Sequence, residues 1–206
     1  MHAESAIHDE AIVVHRGDAG ESHWRYTVLT AGHGWVSALR RKPGKRAQRA
    51  APPDLFEYGE ISVPARRSGA PLVFDEFRSI RGHRELAKQP AALAAAARLA
   101  NLMRLNLDHS ESTESAFRLL VETLGALCAR PRPDAALFKA LYRLARDEGY
   151  PVREEWAAAL SPEDRADALR LLRQPLDAIQ SPAEAAGRLT DSLLLYLAGN
   201  CHWRLP

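Results

Sequence analysis

The ten residues from Arg40 to Arg49 carry the side-chain pattern in this chain that most directly indicates a chemistry. Their sequence, RRKPGKRAQR, contains six cationic side chains and no acidic one. Charges at this density repel one another and resist burial, so the segment is predicted to form an exposed, mobile loop whose natural ligand is a polyanion. The central Pro43 and Gly44 add a turn signal. A solvated loop without a ligand is the alternative for a short basic run.

The sequence contains no pattern typical of a catalytic or metal site. It has no G-x-S-x-G, no G-x-x-x-x-G-K-[ST], no H-E-x-x-H and no spaced set of carboxylates that would hold a metal. Cys128 and Cys201 lie far apart without a C-x-x-C pair, which argues against a zinc site and against a disulfide framework. We therefore predict a protein with reduced thiols, without enzymatic activity, and with no metal or cofactor.

A change of composition near residue 85 indicates two modules in the 206 residues, with predicted bounds 1–84 and 85–206. Residues 1–84 hold 13 Lys or Arg against 10 Asp or Glu, whereas residues 85–206 hold 15 against 16. The positive excess therefore belongs to the first module. Neither a signal-peptide pattern nor a long uncharged apolar run is present, which predicts a soluble, cytoplasmic protein with no membrane contact.

The first module is predicted to contain five strands, because short runs rich in β-branched and aromatic residues alternate with turn formers. The second and third strands would form a hairpin, and the RGDAG stretch after His15 would be a loop. A small barrel of the OB type, whose second and third strands bind nucleic acid, fits this pattern, and so does an SH3-like barrel. The predicted strands are Ala11–His15, Trp24–Thr30, Trp35–Leu39, Leu55–Val63 and Pro71–Ile80.

Three aromatic residues on the second and third strands could either stack on bases or fill the core. Alternation places Trp24 and Tyr26 on one face with Val28, which favours the core for both. Trp35 follows a glycine and leads toward the basic segment, so both a core position and a stacking position stay open.

The second module is predicted to be a compact domain of five helices with apolar stripes, not a solenoid, because no repeat of fixed period is present. Spacings of three, four and seven predict helices within residues 86–107, 117–128 and 137–145. The S-P-E-D and S-P-A-E sequences at Ser161 and Ser181 predict two further helices with serine N-caps, the last ending at Gly199 and Asn200. The whole chain is therefore predicted to be α+β, with a five-stranded OB-like barrel followed by helices.

Several local patterns resemble the RecO family of bacterial recombination mediators. They are Glu21-Ser22, then Val28-Leu29-Thr30 and Gly34, followed by the basic segment, by Leu55-Phe-Glu-Tyr58, and by the closing run from Arg188 to Leu197. The similarity extends over nearly the whole chain. Two departures stand out. The first glycine of the basic segment is as late as Gly44, and residues 150–160 lack the four zinc-binding cysteines of many members, so a zinc-less variant is expected.

The resemblance implies a non-enzymatic function in DNA repair and recombination: binding single- and double-stranded DNA, annealing complementary strands and helping to load recombinase. It also implies two partners, a RecR-type protein and the acidic C-terminal tail of single-strand-binding protein, and a nucleoid-associated location. The tail would bind an apolar pocket of the helical domain rimmed by Arg118, Arg130, Arg132, Arg143 or Arg146. We expect the main phosphate contacts at Arg40, Arg41, Lys42, Lys45, Arg46 and Arg49, with Trp35 as a possible stacking residue and Arg16, Arg25, Arg66 and Arg67 as secondary contacts.

Two other functions fit the residues alone. A basic OB-type module serves RNA equally well, which would make this an RNA- or ribosome-associated protein. A protein-interaction adaptor whose basic loop binds an acidic peptide is the third possibility. The preference for DNA over RNA therefore stays open in the sequence.

Overall fold

A computed structural model describes residues 7–43, 51–63, 72–74, 76–107 and 113–206. The chain forms two compact units, one from Met1–His83 with His109–Phe117, the other from Arg84–Asp108 with Arg118–Pro206. A curled sheet occupies the first unit and helices make up the second, so the α+β class is confirmed.

The sheet of the first unit has six strands in the order β5-β3-β2-β1-β4-β6 and forms a half-barrel. The predicted five-stranded closed barrel is therefore wrong. All described pairings are antiparallel except that of β3 with β5. The strands are β1 (Ile7–Ala19), β2 (His23–Thr30), β3 (Gly34–Arg41), β4 (Tyr58–Val63), β5 (Leu72–Val73) and β6 (Phe77–Arg81).

The segment predicted as one fifth strand divides into β5 and β6, which lie at opposite edges of the sheet. Phe74, directly after β5, donates its backbone N–H to Leu39 O at 3.0 Å, and its side chain is buried. The chain then pairs with β4 instead of β3. Burial of Phe74 in the half-barrel thus separates the two short strands.

Strand β1 extends through the RGDA stretch that was predicted to be a loop. Residues 15–19 pair with β2 after an irregularity between Val13 and His15, and the turn occupies residues 20–22 instead. Gly20 has φ 73°, a conformation that favours glycine. Pairing with β2 therefore outweighs the turn-forming composition. The hairpin of β2 and β3 is confirmed.

The core of the half-barrel is built from alternate residues of its strands. Tyr26 and Val28 are fully buried and Trp24 packs against them, so the predicted inward face of β2 is confirmed. The Tyr26 ring meets the Phe74 ring edge-on, with 5.3 Å between the centroids. The buried members are Ala11, Val13, Tyr26, Val28, Ala38, Ile61, Val63 and Phe74.

In the second unit, α3 packs against both α1 and α6. The helices are α1 (Pro90–Asn106), α2 (Thr113–Ala129), α3 (Pro133–Asp147), α4 (Ala157–Ala159), α5 (Pro162–Arg173) and α6 (Ala183–Cys201). Their inward stripes bury Leu99, Leu102, Leu120, Leu124, Phe138, Leu141, Leu171, Leu189, Leu193 and Leu197. In the part of the chain that the structure describes, no helix is long and apolar enough to cross a membrane.

The helix boundaries differ from the sequence prediction at several points. The predicted helix over 86–107 is a 3₁₀ turn at Arg84–Lys88 followed by α1, which starts at Pro90 because proline fits the first helical turn. Ser161 is confirmed as an N-cap, since its hydroxyl accepts the Asp164 backbone N–H at 3.1 Å. Ser181 is not an N-cap: α6 begins two residues later and ends at Cys201, one residue beyond the predicted end. A π-helical turn at Val152–Trp156, which buries Val152 and Trp156, was not predicted.

Candidate nucleic-acid interface

The basic segment begins on strand β3, because Arg40 and Arg41 are the last two residues of that strand. Successive side chains of a strand point to opposite faces. Arg40 shares the inward face with Val36 and Ala38, and only 6% of it is exposed. Its guanidinium lies over the Phe74 ring, 5.8 Å from the centroid, and Nη1 donates to Ala51 O at 3.5 Å. The predicted exposure of Arg40 is therefore wrong.

Arg41 lies on the outer face of the hairpin, together with three other basic residues. It pairs across the strands with His23, and Arg25, two residues further along β2, shares the same face. His15 on β1 pairs with Thr27 of that face. We call His15, His23, Arg25 and Arg41 the basic face. Along residues 15–19 of β1, 23–27 of β2 and 37–41 of β3, the other residues of this face are uncharged: Gly17, Ala19, Thr27, Ser37 and Leu39.

Arg25 and Arg41 are both exposed. Among the residues that the structure describes, neither Arg25 nor Arg41 forms an ion pair with a carboxylate. Two guanidinium groups on adjacent strands, without acidic neighbours at this end of their face, create a local positive potential that favours an anion. The structure thus brings together Arg25 and Arg41, whereas the sequence analysis predicted only a secondary contact for Arg25.

Lys42 is bound to the turn between β1 and β2. Its Nζ lies 2.7 Å from Asp18 Oδ1 and donates to Gly20 O at 3.1 Å, while its backbone N–H donates to Ser22 O at 2.8 Å. The hydrogen bond from Lys42, followed by its charge, lowers the pKa of the Asp18 carboxyl below the ordinary value. Lys42 therefore fixes the direction in which the chain leaves β3, and an anion would have to compete with Asp18 for its ammonium.

Arg16 and Trp24 lie on the inward side of the same end of the sheet. The Arg16 guanidinium covers the Trp24 ring at 5.7 Å from its centroid, a cation–π contact. Trp35 lies on the outer face and is partly buried, and its Nε1 is buried without a hydrogen-bond partner among the described residues. The Arg16 guanidinium thus occupies one face of the Trp24 ring, and stacking of a base on Trp35 stays a prediction.

The remaining sequence-predicted contacts lie outside the described residues. These are Lys45, Arg46 and Arg49 in the basic segment, and Arg66 and Arg67 after β4.

The opposite end of the sheet is acidic. A pocket of about 460 Å³ is lined by His8, Asp9, Glu10, Glu60, Ile61, Ser62, Glu76 and Arg78. Arg78 forms an ion pair with Glu60, and the hydrogen bond from Arg78 lowers the pKa of the Glu60 carboxyl. The sheet therefore has an anion-repelling end around Glu10 and an anion-attracting end around Arg25. In the described ranges, no group of three His, Cys, Asp or Glu is arranged to hold a metal ion, and the zinc-free protein stays a prediction.

Comparison with known proteins finds similarity to one group of curated proteins. No family model matches the chain. Over 129 residues, 61% of its length, it is 36% identical to the DNA repair protein RecO of Anaeromyxobacter dehalogenans strain 2CP-C and to that of Anaeromyxobacter sp. strain K. The aligned part covers 50% of each relative, so the chain spans about half the length of the curated relatives it matches. Over that stretch the chain is similar to proteins named DNA repair protein RecO.

The RecO resemblance stated from local patterns is thereby confirmed. The pocket that this resemblance implies has a counterpart in the helical unit. A pocket of about 340 Å³ opens between α2 and α3. Apolar residues, including Leu119, Leu172 and Leu176, line it, and Arg143 and Arg146 stand at its rim. Arg143 pairs with Glu122 at 2.5 Å and Arg146 with Asp147 at 2.7 Å.

The other predicted rim residues do not line this pocket. Arg130 pairs with Asp177, and Arg132 binds both Asp134 and the Ile179 carbonyl. Arg118 is likewise absent from the lining.

Lys139 also lines the pocket, but its ammonium is directed at the end of α5. Nζ donates to the carbonyls of Leu171, Leu172 and Gln174 at 2.7, 3.4 and 2.6 Å. Carbonyls at a helix C-terminus lack intrahelical partners, so the ammonium satisfies and electrostatically complements them. Burial lowers the pKa of Lys139 below that of a free lysine. Only the tertiary structure shows this contact, because the donor lies more than 30 residues from the helix end.

Proposed function

We propose that this chain is a non-enzymatic DNA-binding protein of DNA repair and recombination. It binds single- and double-stranded DNA, promotes annealing of complementary strands and helps recombinase loading, in the cytoplasm and associated with the nucleoid. The relatives named DNA repair protein RecO support the repair role. Support for DNA binding comes from the basic face of the half-barrel and from the basic segment that follows it.

The observation that carries the proposal is the pair of exposed guanidinium groups of Arg25 and Arg41 on one face of the β2–β3 hairpin. Arg41 is followed at once by Lys42, and then by Lys45, Arg46 and Arg49 of the basic segment. A DNA strand crossing the hairpin would meet Arg25 and Arg41 first and the segment next. Arg66 and Arg67 are further proposed contacts, and so is Arg16, which is exposed. Arg40 faces inward and is assigned a structural role.

Contacts of this kind bind phosphate and read no base, so binding is independent of sequence. Annealing then requires no reacting group. When cationic side chains neutralise phosphates on two complementary strands, the repulsion between the strands falls and base pairing proceeds.

The test is an Arg25→Ala/Arg41→Ala double variant. Each phosphate contact contributes about 0.7 to the slope of log affinity against log salt on single strands and about 0.9 on duplex. The double variant should therefore have slopes shallower by about 1.4 and 1.8. Its stability should change little, since exposed charges away from special features usually alter it by less than about 0.5 kcal/mol.

A matched control removes two exposed arginines of the helical unit, Arg153→Ala/Arg173→Ala. It lowers the net charge equally, yet it should keep both slopes. If the Arg25 and Arg41 variant keeps the parent's affinity and slope, the basic face is not the DNA site. Lys45→Ala/Arg46→Ala tests the basic segment in the same assay. Stronger competition by matched RNA than by single-stranded DNA would favour an RNA-binding function, and binding of acidic peptides without any oligonucleotide binding would favour an adaptor.

We also propose that the pocket between α2 and α3 binds the acidic C-terminal tail of single-strand-binding protein. Its apolar lining suits hydrophobic side chains of the tail, and Arg143 and Arg146 would meet its carboxylates in exchange for Glu122 and Asp147. Arg146→Ala should weaken binding of a fluorescent tail peptide to the full chain several-fold, whereas Arg130→Ala, outside the pocket, should not. Equal binding by both variants would reject this pocket. A RecR-type protein is the second proposed partner, supported by the resemblance alone.

A further inference from the structure

Two histidines belong to the basic face, and the structure places each beside an arginine. Gly17 pairs directly with Arg25 across β1 and β2. The His15 ring folds over Gly17, and its Cε1 lies 3.1 Å from the position that a Cβ at residue 17 would occupy. The imidazole therefore fills the space left by the missing side chain, next to Arg25. His23 is the direct cross-strand partner of Arg41.

The charged groups around these histidines are mostly cationic. The charged residues on the same face are Arg25 and Arg41. The uncharged neighbour of His23 is Ser22, whose hydroxyl lies 2.8 Å from His23 Nδ1. The nearest carboxylates along the chain are Glu21, exposed in the turn, and Asp18, on the inward side and held by Lys42. Arg16 also points inward, over Trp24. Glu10, the described carboxylate on the same side of β1, lies beyond Ile12, at the acidic end of the sheet. At the end of the face formed by residues 15–19, 23–27 and 37–41, no described carboxylate is therefore available to pair with a protonated imidazole.

We infer that His15 and His23, once protonated, are additional phosphate contacts of the basic face, so that nucleic-acid binding strengthens as the pH falls from 8 to 6. The inference rests on the proposed function of this face. Histidine is the side chain whose charge ordinarily changes between pH 5 and 8. A neutral imidazole offers one N–H donor, whereas the protonated ring offers two donors and a positive charge.

A bound phosphate favours the protonated form in return, because an opposite charge within about 4 to 6 Å stabilises the charged state. Binding therefore takes up protons. Two further contacts would make the single-strand salt slope at pH 6 steeper than at pH 8 by up to about 1.4.

The experiment measures affinity for a single-stranded oligonucleotide against salt at pH 8.0 and pH 6.0, with far-UV circular dichroism at both values to verify folding. The parent should show the steeper slope at pH 6.0. His15→Gln/His23→Gln should keep the parent's slope at pH 8.0 and lose the steepening. His8→Gln is the matched control, because His8 is exposed on the same strand but lines the acidic pocket. It should keep the steepening.

Equal slopes of the parent at the two pH values, or steepening that survives in the double variant, would overturn the inference. Gly17→Ala gives an independent test, since a methyl group there displaces the His15 ring and should reduce the steepening by about half. Failure of the proposed function is distinguishable: in that case Arg25→Ala/Arg41→Ala would leave the slope unchanged at pH 8.0. If that variant has its expected effect and pH has none, only the histidine inference fails.

Discussion

Arg40 and Arg41 are neighbours in sequence, and the structure predicts opposite consequences for their replacement. Arg40→Ala removes a nearly buried side chain whose guanidinium covers the Phe74 ring. A desolvated cation–π contact contributes up to about 2 kcal/mol. Truncating a buried side chain to alanine costs about 2 to 5 kcal/mol of unfolding free energy. In arginine the aliphatic stem packs as an apolar side chain does, whereas the head carries the charge. We therefore expect a loss of about 2 to 4 kcal/mol of unfolding free energy.

Urea denaturation measures this loss directly. With a slope m near 2 kcal/mol/M, the expected loss lowers the midpoint by about 1 to 2 M. Arg40→Met retains the apolar stem, so it should recover the packing part and lose only about 1 to 2 kcal/mol. Below the transition, both Arg40 variants should keep the parent's salt slope for DNA.

Arg41→Ala should behave in the reverse way. Its midpoint should stay within about 0.25 M of the parent, because an exposed arginine contributes less than about 0.5 kcal/mol. Its single-strand salt slope should become shallower by about 0.7. If Arg40→Ala flattens the slope while the urea midpoint stays unchanged, then Arg40 is exposed to the ligand and the assignment of the two faces is wrong.

Three further predictions concern stability. Gly59→Ala should cost about 1 to 3 kcal/mol of unfolding free energy. Its added Cβ would lie 2.7 Å from the Phe77 ring and would overlap the backbone oxygen of Arg78. An unchanged urea midpoint would show that β6 moves freely. Lys139→Met should lower the midpoint by removing the ammonium that caps α5, and a stabilised variant would contradict this role. Burial lowers the pKa of His83 below its ordinary 6.5. The contribution of the neutral imidazole to stability is therefore complete above about pH 6.5 and is lost as the pH falls through the folded-state pKa. His83→Gln should flatten the curve of unfolding free energy against pH in that interval, and an equally steep curve would assign the loss to other groups.

Features that depend on neighbours a few residues away follow from the sequence alone. The face shared by Trp24, Tyr26 and Val28 follows from the two-residue period of a strand, and the Ser161 N-cap from a hydroxyl within reach of the next turn. The β2–β3 hairpin follows from a short turn between two β-rich runs. The same period, continued from Val36 and Ala38, would have placed Arg40 inside, but the density of charge after it favoured a loop.

Features that depend on pairing with another element become visible only in the tertiary structure. β1 continues through a turn-forming sequence because β2 supplies its hydrogen bonds. The predicted fifth strand divides because each half pairs with a different strand, β3 or β4. Lys42 is fixed by Asp18, and the end of α5 by Lys139. In each case a hydrogen bond or ion pair from another element overrides the local preference, and periodicity along the chain carries no information about such a partner.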